Sequence, residues 1–222
     1  MKIAILAAMS KELRLLLDTF GEDSQVRVND LTFHITRHGD HELIVGHSGI
    51  GKVNAAVGTL TVLENFHPAL VINSGVAGGV GVARPLDVVI PDRIAYYDVW
   101  CGPGTEPGQA DGMPRMFTCP LDAEHISGLG ARSGLLASGD TFVSSRDEVD
   151  RILSLYPDAV AVDMESAAMA QVCHIKGVPF ICLRVVSDTP GQVEDNAAQY
   201  TDFWTQAPEN TFGTLRRLLD LL

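Results

Sequence analysis

Three acidic residues stand where an apolar run gives way to a helix or a turn, and each could move a proton or hold a sugar hydroxyl. Glu12 follows the run Lys2–Ala8. Glu165 follows Ala159-Val160-Ala161-Val162-Asp163-Met164, and Asp188 follows Phe180-Ile181-Cys182-Leu183-Arg184-Val185-Val186-Ser187. Ligands of open α/β sheets bind outside the carboxyl ends of strands. Carboxylates gathered there can serve as general acid, general base or hydroxyl acceptor, as burial and neighbours set their pKa values. Taken singly, each has a plain structural alternative. A first-turn acid suits the helix dipole, and an aspartate after a strand caps a turn or helix.

Periodicity and punctuation give the elements that must position these groups. Between the last two runs, Glu165 to Lys176 carries a helix pattern stopped by Gly177, with Pro179 just beyond. Strand, helix and strand make a βαβ unit whose strands are expected to lie parallel and near each other. Met164, Glu165, Ser187 and Asp188 then meet at one mouth. Near the N-terminus, Ser10 is expected to cap a helix from Lys11 to Phe20, with Leu13, Leu16 and Leu17 on one face. Thr32–Thr36 and His41–Gly46 read as a hairpin turning at Gly39-Asp40, followed by Ser48-Gly49-Ile50-Gly51-Lys52 and a helix from Val53 to Asn65. Ala69–Asn73 is a strand running into Ser74-Gly75-Val76-Ala77-Gly78-Gly79-Val80-Gly81. Such a glycine-rich turn lets a ligand approach backbone N–H groups, with Ala77 and Gly78 as candidate contacts. It has neither the dinucleotide spacing nor a Walker lysine. Gly46-His47-Ser48-Gly49 fails as a nucleophile elbow because Ile50 stands in the last glycine's place.

Asp87–Pro91, Arg93–Tyr97 and Ser133–Ala137 read as further strands, and Arg146–Tyr156 as a helix capped by Ser145. Ser138-Gly139-Asp140-Thr141-Phe142-Val143 is a turn with an aromatic at its tip, for which core packing is the commoner fate. Residues 100–118 are rich in Gly and Pro and read as a long irregular segment. Trp100, Met113, Met116 and Phe117 favour an ordered lid or subunit contact there. Thr189–Asn196 is a polar loop, and a final helical region to Leu222 is broken near Pro208. No linker divides residues 1–222, so the reading is one α/β domain: a central mixed β-sheet flanked by helices.

Composition excludes several classes. The formal charge of -12 over 222 residues argues against a nucleic-acid partner, whose phosphates need clustered Lys and Arg. No run approaches the ~18 apolar residues of a membrane helix. The apolar N-terminus is interrupted by Lys11, Glu12 and Arg14 and reads as a strand rather than a leader. The four cysteines show no metal spacing, and His34, His38 and His41 lack a partner set, so no metal or cofactor is expected. Unpaired cysteines fit a reducing cytoplasm.

Six motifs fall in an order that resembles one family: Ala7-Ala8-Met9-Ser10-Lys11-Glu12, Ser48-Gly49-Ile50-Gly51-Lys52, Asn73-Ser74-Gly75-Val76-Ala77-Gly78-Gly79, Ser138-Gly139-Asp140, Val162-Asp163-Met164-Glu165 and Val186-Ser187-Asp188. The chain resembles, over its whole length, the bacterial 5′-methylthioadenosine/S-adenosylhomocysteine nucleosidases of the purine nucleoside phosphorylase superfamily. The resemblance implies a nucleoside phosphorylase-like three-layer fold and hydrolysis of an adenine nucleoside, including 5′-deoxyadenosine or aminofutalosine. It implies that Glu12 activates water and Asp188 faces adenine N7. Glu165 would bind the ribose hydroxyls, with Met164 packed on the sugar. Phe142 would stack on the base, whose edge the Val143 backbone reads. Arg184 would position water and Glu12, while Met9 and Ile50 would line the 5′ pocket under Tyr200 or Phe203. A homodimer is implied, with residues 100–117 reaching the neighbouring site. Departures from the family pattern at Val76, at Tyr97 and in two loops touch the 5′ side and the water more than the adenine side. Where family phosphorylases carry a glycine-proline-arginine stretch, Met9-Ser10-Lys11-Glu12 places a carboxylate that repels phosphate. A phosphate-dependent phosphorylase and a non-catalytic nucleoside-binding module are the alternatives.

Overall fold

The computed structural model of the chain describes residues 1–192, 195–206 and 208–222. Its first half runs β1 (Lys2–Ala7), α1 (Ser10–Phe20), β2 (Ser24–Val28), β3 (Leu31–His38), β4 (His41–His47), α2 (Lys52–Phe66), β5 (Leu70–Gly79), β6 (Val88–Val89), β7 (Arg93–Tyr96) and β8 (Phe117–Thr118). The second half runs α3 (Ala123–Gly128), β9 (Leu135–Ser138), α4 (Arg146–Leu155), β10 (Ala159–Asp163), α5 (Ser166–Lys176), β11 (Phe180–Asp188), α6 (Asn196–Gln206) and α7 (Pro208–Leu221). The expected loop over Thr189–Asn196 falls partly outside the described residues.

Strand β1 shows how the layers arise. Its alternate residues Ala4 and Leu6 pack with Ala55 and Val62 of α2 and Ala167 of α5, while Ile3 and Ile5 pack with Leu13 and Leu16 of α1 and Leu215 and Leu218 of α7. A strand covered on both faces has no polar side to show, which is why it reads as one apolar run. The same alternation recurs in β9, where Leu136 joins the first layer and Leu135 and Ala137 meet Val149 and Ile152 of α4 on the other. Helices thus sandwich a mixed sheet, the nucleoside phosphorylase-like arrangement the motifs imply.

The hydrogen-bonded strand order is β2-β3-β4-β1-β5-β10-β9-β7-β8, with β11 attached to β5 and β6. β5 is the hub. Leu70–Asn73 pair in parallel with β1, Val71–Gly78 pair in parallel with β11, and Gly78–Gly79 pair antiparallel with β10. This corrects the parallel βαβ reading: β10 and β11 are not hydrogen-bonded to each other and run in opposite senses along β5. Their ends converge all the same. Val162 pairs with Gly78 on one side, and Asp188 pairs with the same glycine on the other.

Several boundaries shift for physical reasons. Ser10 opens α1, but Met9 occupies the cap position. Gly177 stops α5 in the left-handed conformation at φ 67°, its N–H reaching the Cys173 and His174 carbonyls. The strand expected over Asp87–Pro91 contracts to two residues. Sequence periodicity misses β2, an exposed edge strand with no buried alternation, and the six-residue α3. The C-terminal helical region divides in two, with Pro208 first in α7, where a missing N–H costs nothing. Between β7 and β8 the chain is irregular, yet Met113 and Met116 pack against core clusters. Among the described residues no helix is long and apolar enough to cross a membrane, and no cluster of three His, Cys, Asp or Glu could hold a metal.

Candidate active site

The C-terminal ends of β5, β10 and β11, the start of α1 and the turn after β9 enclose a cleft of about 620 Å³ out to its open mouth. Its lining includes Met9, Glu12, Ile50, Ala77, Gly78, Phe142, Val143, Met164, Glu165, Ser187, Asp188 and Tyr200. Two residues expected in the site lie outside the lining. Arg184 is 1% exposed and lies beneath the cleft, its guanidinium turned to buried carboxylate and amide groups. Phe203 is buried against Val185, with Val76 and Trp204 beside it, so Tyr200 alone of the two reaches the cleft from α6.

Glu12 is 3% exposed and owes its position to backbone donors. Its Oε2 accepts from the Ala8 and Met9 N–H groups at 3.0 and 2.9 Å, and its Oε1 accepts from Val76 N–H at 3.0 Å. The carboxylate therefore caps its own helix and clips α1 to β5. This contact needs Gly75: a Cβ there would lie 2.4 Å from Glu12 Oε1 and 3.4 Å from Arg184 Nη1. Burial raises the Glu12 pKa above the ordinary carboxylate value, against the opposing pull of Arg184 and the three N–H groups. A base whose proton affinity is raised while its oxygens stay fixed can take a proton from water.

Glu165 sits at the N-cap of α5, and its Oε1 accepts from Gly51 N–H at 2.8 Å. Burial, and next the neighbouring Asp163 charge, push its pKa up to about 7. Asp188 is 2% exposed, and Ser187 Oγ donates to its Oδ1. Burial raises its pKa, with Ser187 and Asn196 opposing. Phe142 is 48% exposed at the mouth rather than packed in the core, and it meets the Tyr200 ring edge-on at 5.8 Å.

Sequence reasoning passed over the groups that hold these in place. Asp163 accepts from Arg184 Nη2 at 2.8 Å and from Ser138 Oγ at 2.6 Å, and it also receives the Ser166 hydroxyl. Arg184 Nη2 donates to Asn73 as well, whose own amide reaches the Leu6 carbonyl at 2.9 Å. The available signal was an Asp two residues before Glu165 and an Arg in an otherwise apolar strand. The Phe142 turn is tied down by Lys52 and Asp98. Lys52 Nζ lies 2.8 Å from Asp98 Oδ2, which also accepts from Asp140 N–H at 2.9 Å, and Lys52 N–H donates to Asp140 at 2.8 Å. Asn196 adds a contact beside the Phe142 turn, its Nδ2 lying 3.5 Å from the Val143 carbonyl. These partners come from distant parts of the chain, and their spacing carries no motif.

Fold and site together define an α/β enzyme with an acidic-floored, aromatic-walled cleft at the strand ends. A model of the phosphorylase superfamily matches residues 2–220. The 5′-methylthioadenosine/S-adenosylhomocysteine nucleosidase of Chromohalobacter salexigens is 39% identical over 209 residues, covering 89% of this chain and 88% of its own. The nucleosidase of the same name from Haemophilus influenzae is 32% identical over 231 residues, covering 100% of both. The S-adenosylhomocysteine nucleosidase of Streptococcus pyogenes, solved in complex with 5-methylthiotubericidin, superposes with a TM-score of 0.91 at 35% identity, covering 100% of this chain and 97% of that one. The futalosine hydrolase of Helicobacter pylori superposes with a TM-score of 0.89 at 28% identity, covering 100% and 98%. The chain belongs to the 5′-methylthioadenosine/S-adenosylhomocysteine nucleosidases of the phosphorylase superfamily.

The raised carboxyl pKa values carry a stability consequence. Folded, Glu165 keeps its proton up to about pH 7, whereas the ordinary value is 4.5. The folded chain binds more protons than the unfolded chain within that window, so stability falls as pH rises through it. Glu12 and Asp188 act in the same direction. Glu165→Gln, which mimics the protonated form, is expected to match the parent in urea unfolding at about pH 4.5 and to exceed it at about pH 8. A variant less stable than the parent at pH 8 would show that the ionised carboxylate is itself a structural tie.

Proposed function

We propose that this chain hydrolyses the N-ribosidic bond of 5′-methylthioadenosine and S-adenosylhomocysteine, releasing adenine and the free 5-substituted ribose. 5′-Deoxyadenosine and aminofutalosine are further substrates of the same kind. One observation carries the reading: four buried carboxyl groups, Glu12, Asp163, Glu165 and Asp188, share the cleft, and among the described residues no Lys, Arg or His lines it. A phosphorylase must bind phosphate, and phosphate needs an available cation or a cradle of N–H groups. Arg184 lies below the cleft and is held by Asp163, Asn73 and Ser166. The acidic floor repels phosphate and suits water.

Asp163 is taken up by Arg184, and Glu12, Glu165 and Asp188 each answer one demand of the reaction. Breaking N9–C1′ leaves negative charge on adenine and an oxocarbenium-like ribose. Asp188 donates a proton to N7. To be half protonated at pH 7 an aspartate must hold its proton about 4 kcal/mol more tightly than in water. Burial supplies the direction, against the hydrogen bonds of Ser187 and Asn196. Glu165 accepts from the ribose hydroxyls, and with Glu12 it gives the developing cation a negative surround. Glu12 takes a proton from the water that attacks C1′. Phe142 stacks on the base, and Met9 and Ile50 face the 5′ substituent. Arg184 acts through Asp163 and the fixed position of Glu12 rather than by touching substrate.

We also propose that the chain works as a homodimer in the cytoplasm. Val53, Val57 and Leu60 are 74%, 55% and 37% exposed on one stripe of α2, Ile50 just before that helix is 51% exposed, and Trp100, two residues past the Lys52 partner Asp98, is 64% exposed. Ile50 also lines the cleft. A second copy seated on this face would cover the stripe and bring its 100–117 segment to the open side of the site.

Product analysis with 5′-methylthioadenosine, with and without phosphate, tests the reaction. The expected result is adenine and free methylthioribose, indifferent to phosphate. Adenine released only with phosphate, as a sugar 1-phosphate, makes the chain a phosphorylase, and no release makes it a binding module. Asp188→Asn is expected to keep nucleoside affinity within about tenfold while turnover falls about 10³-fold; near-native turnover removes Asp188 from the mechanism. Val57→Lys is expected to sediment as a monomer with a raised KM for 5′-methylthioadenosine, and an unchanged sedimentation coefficient overturns the proposed dimer face.

A further inference from the structure

Tyr200 brings an aromatic hydroxyl into the cleft beside Met9. Its side chain descends from α6, its ring edge against Phe142 at 5.8 Å and near Trp204 at 6.1 Å. Its O–H donates to the Met9 thioether, with Oη 3.3 Å from Sδ. A thioether is a weak acceptor, so a half-buried phenol resting on one keeps most of its hydrogen-bonding capacity in hand. Burial raises the Tyr200 pKa, a hydrogen bond from Trp204 opposes it, and the charges of Glu12, Asp188 and Glu165 add to the rise. The phenol therefore stays neutral, a donor, and close enough to the reaction centre to feel all three carboxylates.

Met9 and Ile50 are the residues assigned to the 5′ substituent, an assignment that rests on the proposed function. A phenylalanine would fill the same space and make the same ring contacts. The hydroxyl adds only the option of a polar contact, at the position where a substrate's 5′ group comes to lie beside Met9. We infer that the Tyr200 hydroxyl is a specificity-determining donor that favours adenosines carrying a hydrogen-bond acceptor at C5′, a thioether sulfur or an oxygen, over those carrying none. When such an acceptor enters, the O–H turns from Met9 Sδ to the substrate. An oxygen is the better acceptor of the two and gains more from the exchange. When a 5′-methyl group enters, the O–H stays on Met9. Because that fallback exists, an analogue without an acceptor does not strand a buried donor. The selectivity is therefore modest, about tenfold, rather than the 10⁴-fold of a site whose polar group is left unpaired.

Adenosine and 5′-deoxyadenosine differ by that one oxygen and make the test. Each is assayed for kcat/KM and for its dissociation constant, with the parent and with Tyr200→Phe. The expected result is that Tyr200→Phe lowers the adenosine to 5′-deoxyadenosine ratio about tenfold in both measures. A ratio moved by less than twofold, or an equal loss on both substrates, overturns the inference and leaves Tyr200 as a cover of the cleft. 5′-Methylthioadenosine is run beside them with the parent. If the parent releases no adenine from it, the hydrolase reading fails, and the ratio of dissociation constants still decides the role of the hydroxyl.

Discussion

A guanidinium shut away from water must be neutralised where it lies, and the site is built around the solution to that constraint. Arg184 and Asp163 are both buried and joined through Nη2 and Nε to one carboxylate oxygen. Burying such a pair is costly unless its remaining donors and acceptors are satisfied. Asn73, Ser138 and Ser166 satisfy them, and these residues come from β5, β9 and the start of α5. The network therefore fixes the ends of β9 and β10 and the middle of β11 against the hub strand β5.

The charge balance left over decides the character of the cleft. Arg184 offsets Asp163 at close range and acts on Glu12 and Glu165 from further away. Burial works against the ionised forms of Glu12, Glu165 and Asp188. The result is a floor on which these three groups hold protons more tightly than free acids do. Such a floor favours a reaction that makes a sugar cation and must deliver a proton to a leaving base. The same feature costs stability near neutral pH, a familiar exchange of stability for function.

The walls follow a different logic. Part of the cleft rests on strand termini and on turns pinned by backbone hydrogen bonds and by the Lys52–Asp98–Asp140 cluster. Another part is lined by Met9, Ile50 and Tyr200, from the entries to α1 and α2 and from the late helix α6. The buried carboxyl groups are thus held by the sheet, whereas Met9, Ile50 and Tyr200 stand on its margin, where a side chain can change without disturbing the buried network.

Local pattern made much of this legible in the sequence. Apolar runs buried on both faces marked β1, β10 and β11, Gly177 marked the end of α5, and acids just past strand ends marked the three carboxylates. These signals are local because strand burial, helix stops and dipole-favoured acids depend on neighbours in the chain. Motif order then marked the family. The tertiary structure alone decided that β10 and β11 flank β5 rather than pair, because sheet pairing is set by contacts between distant segments. It alone placed Arg184 under the cleft and Phe203 behind it, since which face of an element meets a cavity depends on what packs opposite. It likewise revealed Asp163, Asn73 and Gly75 as the parts that hold Glu12 and Glu165. Their roles lie in angstrom-scale approaches between strands that no spacing along a single chain records.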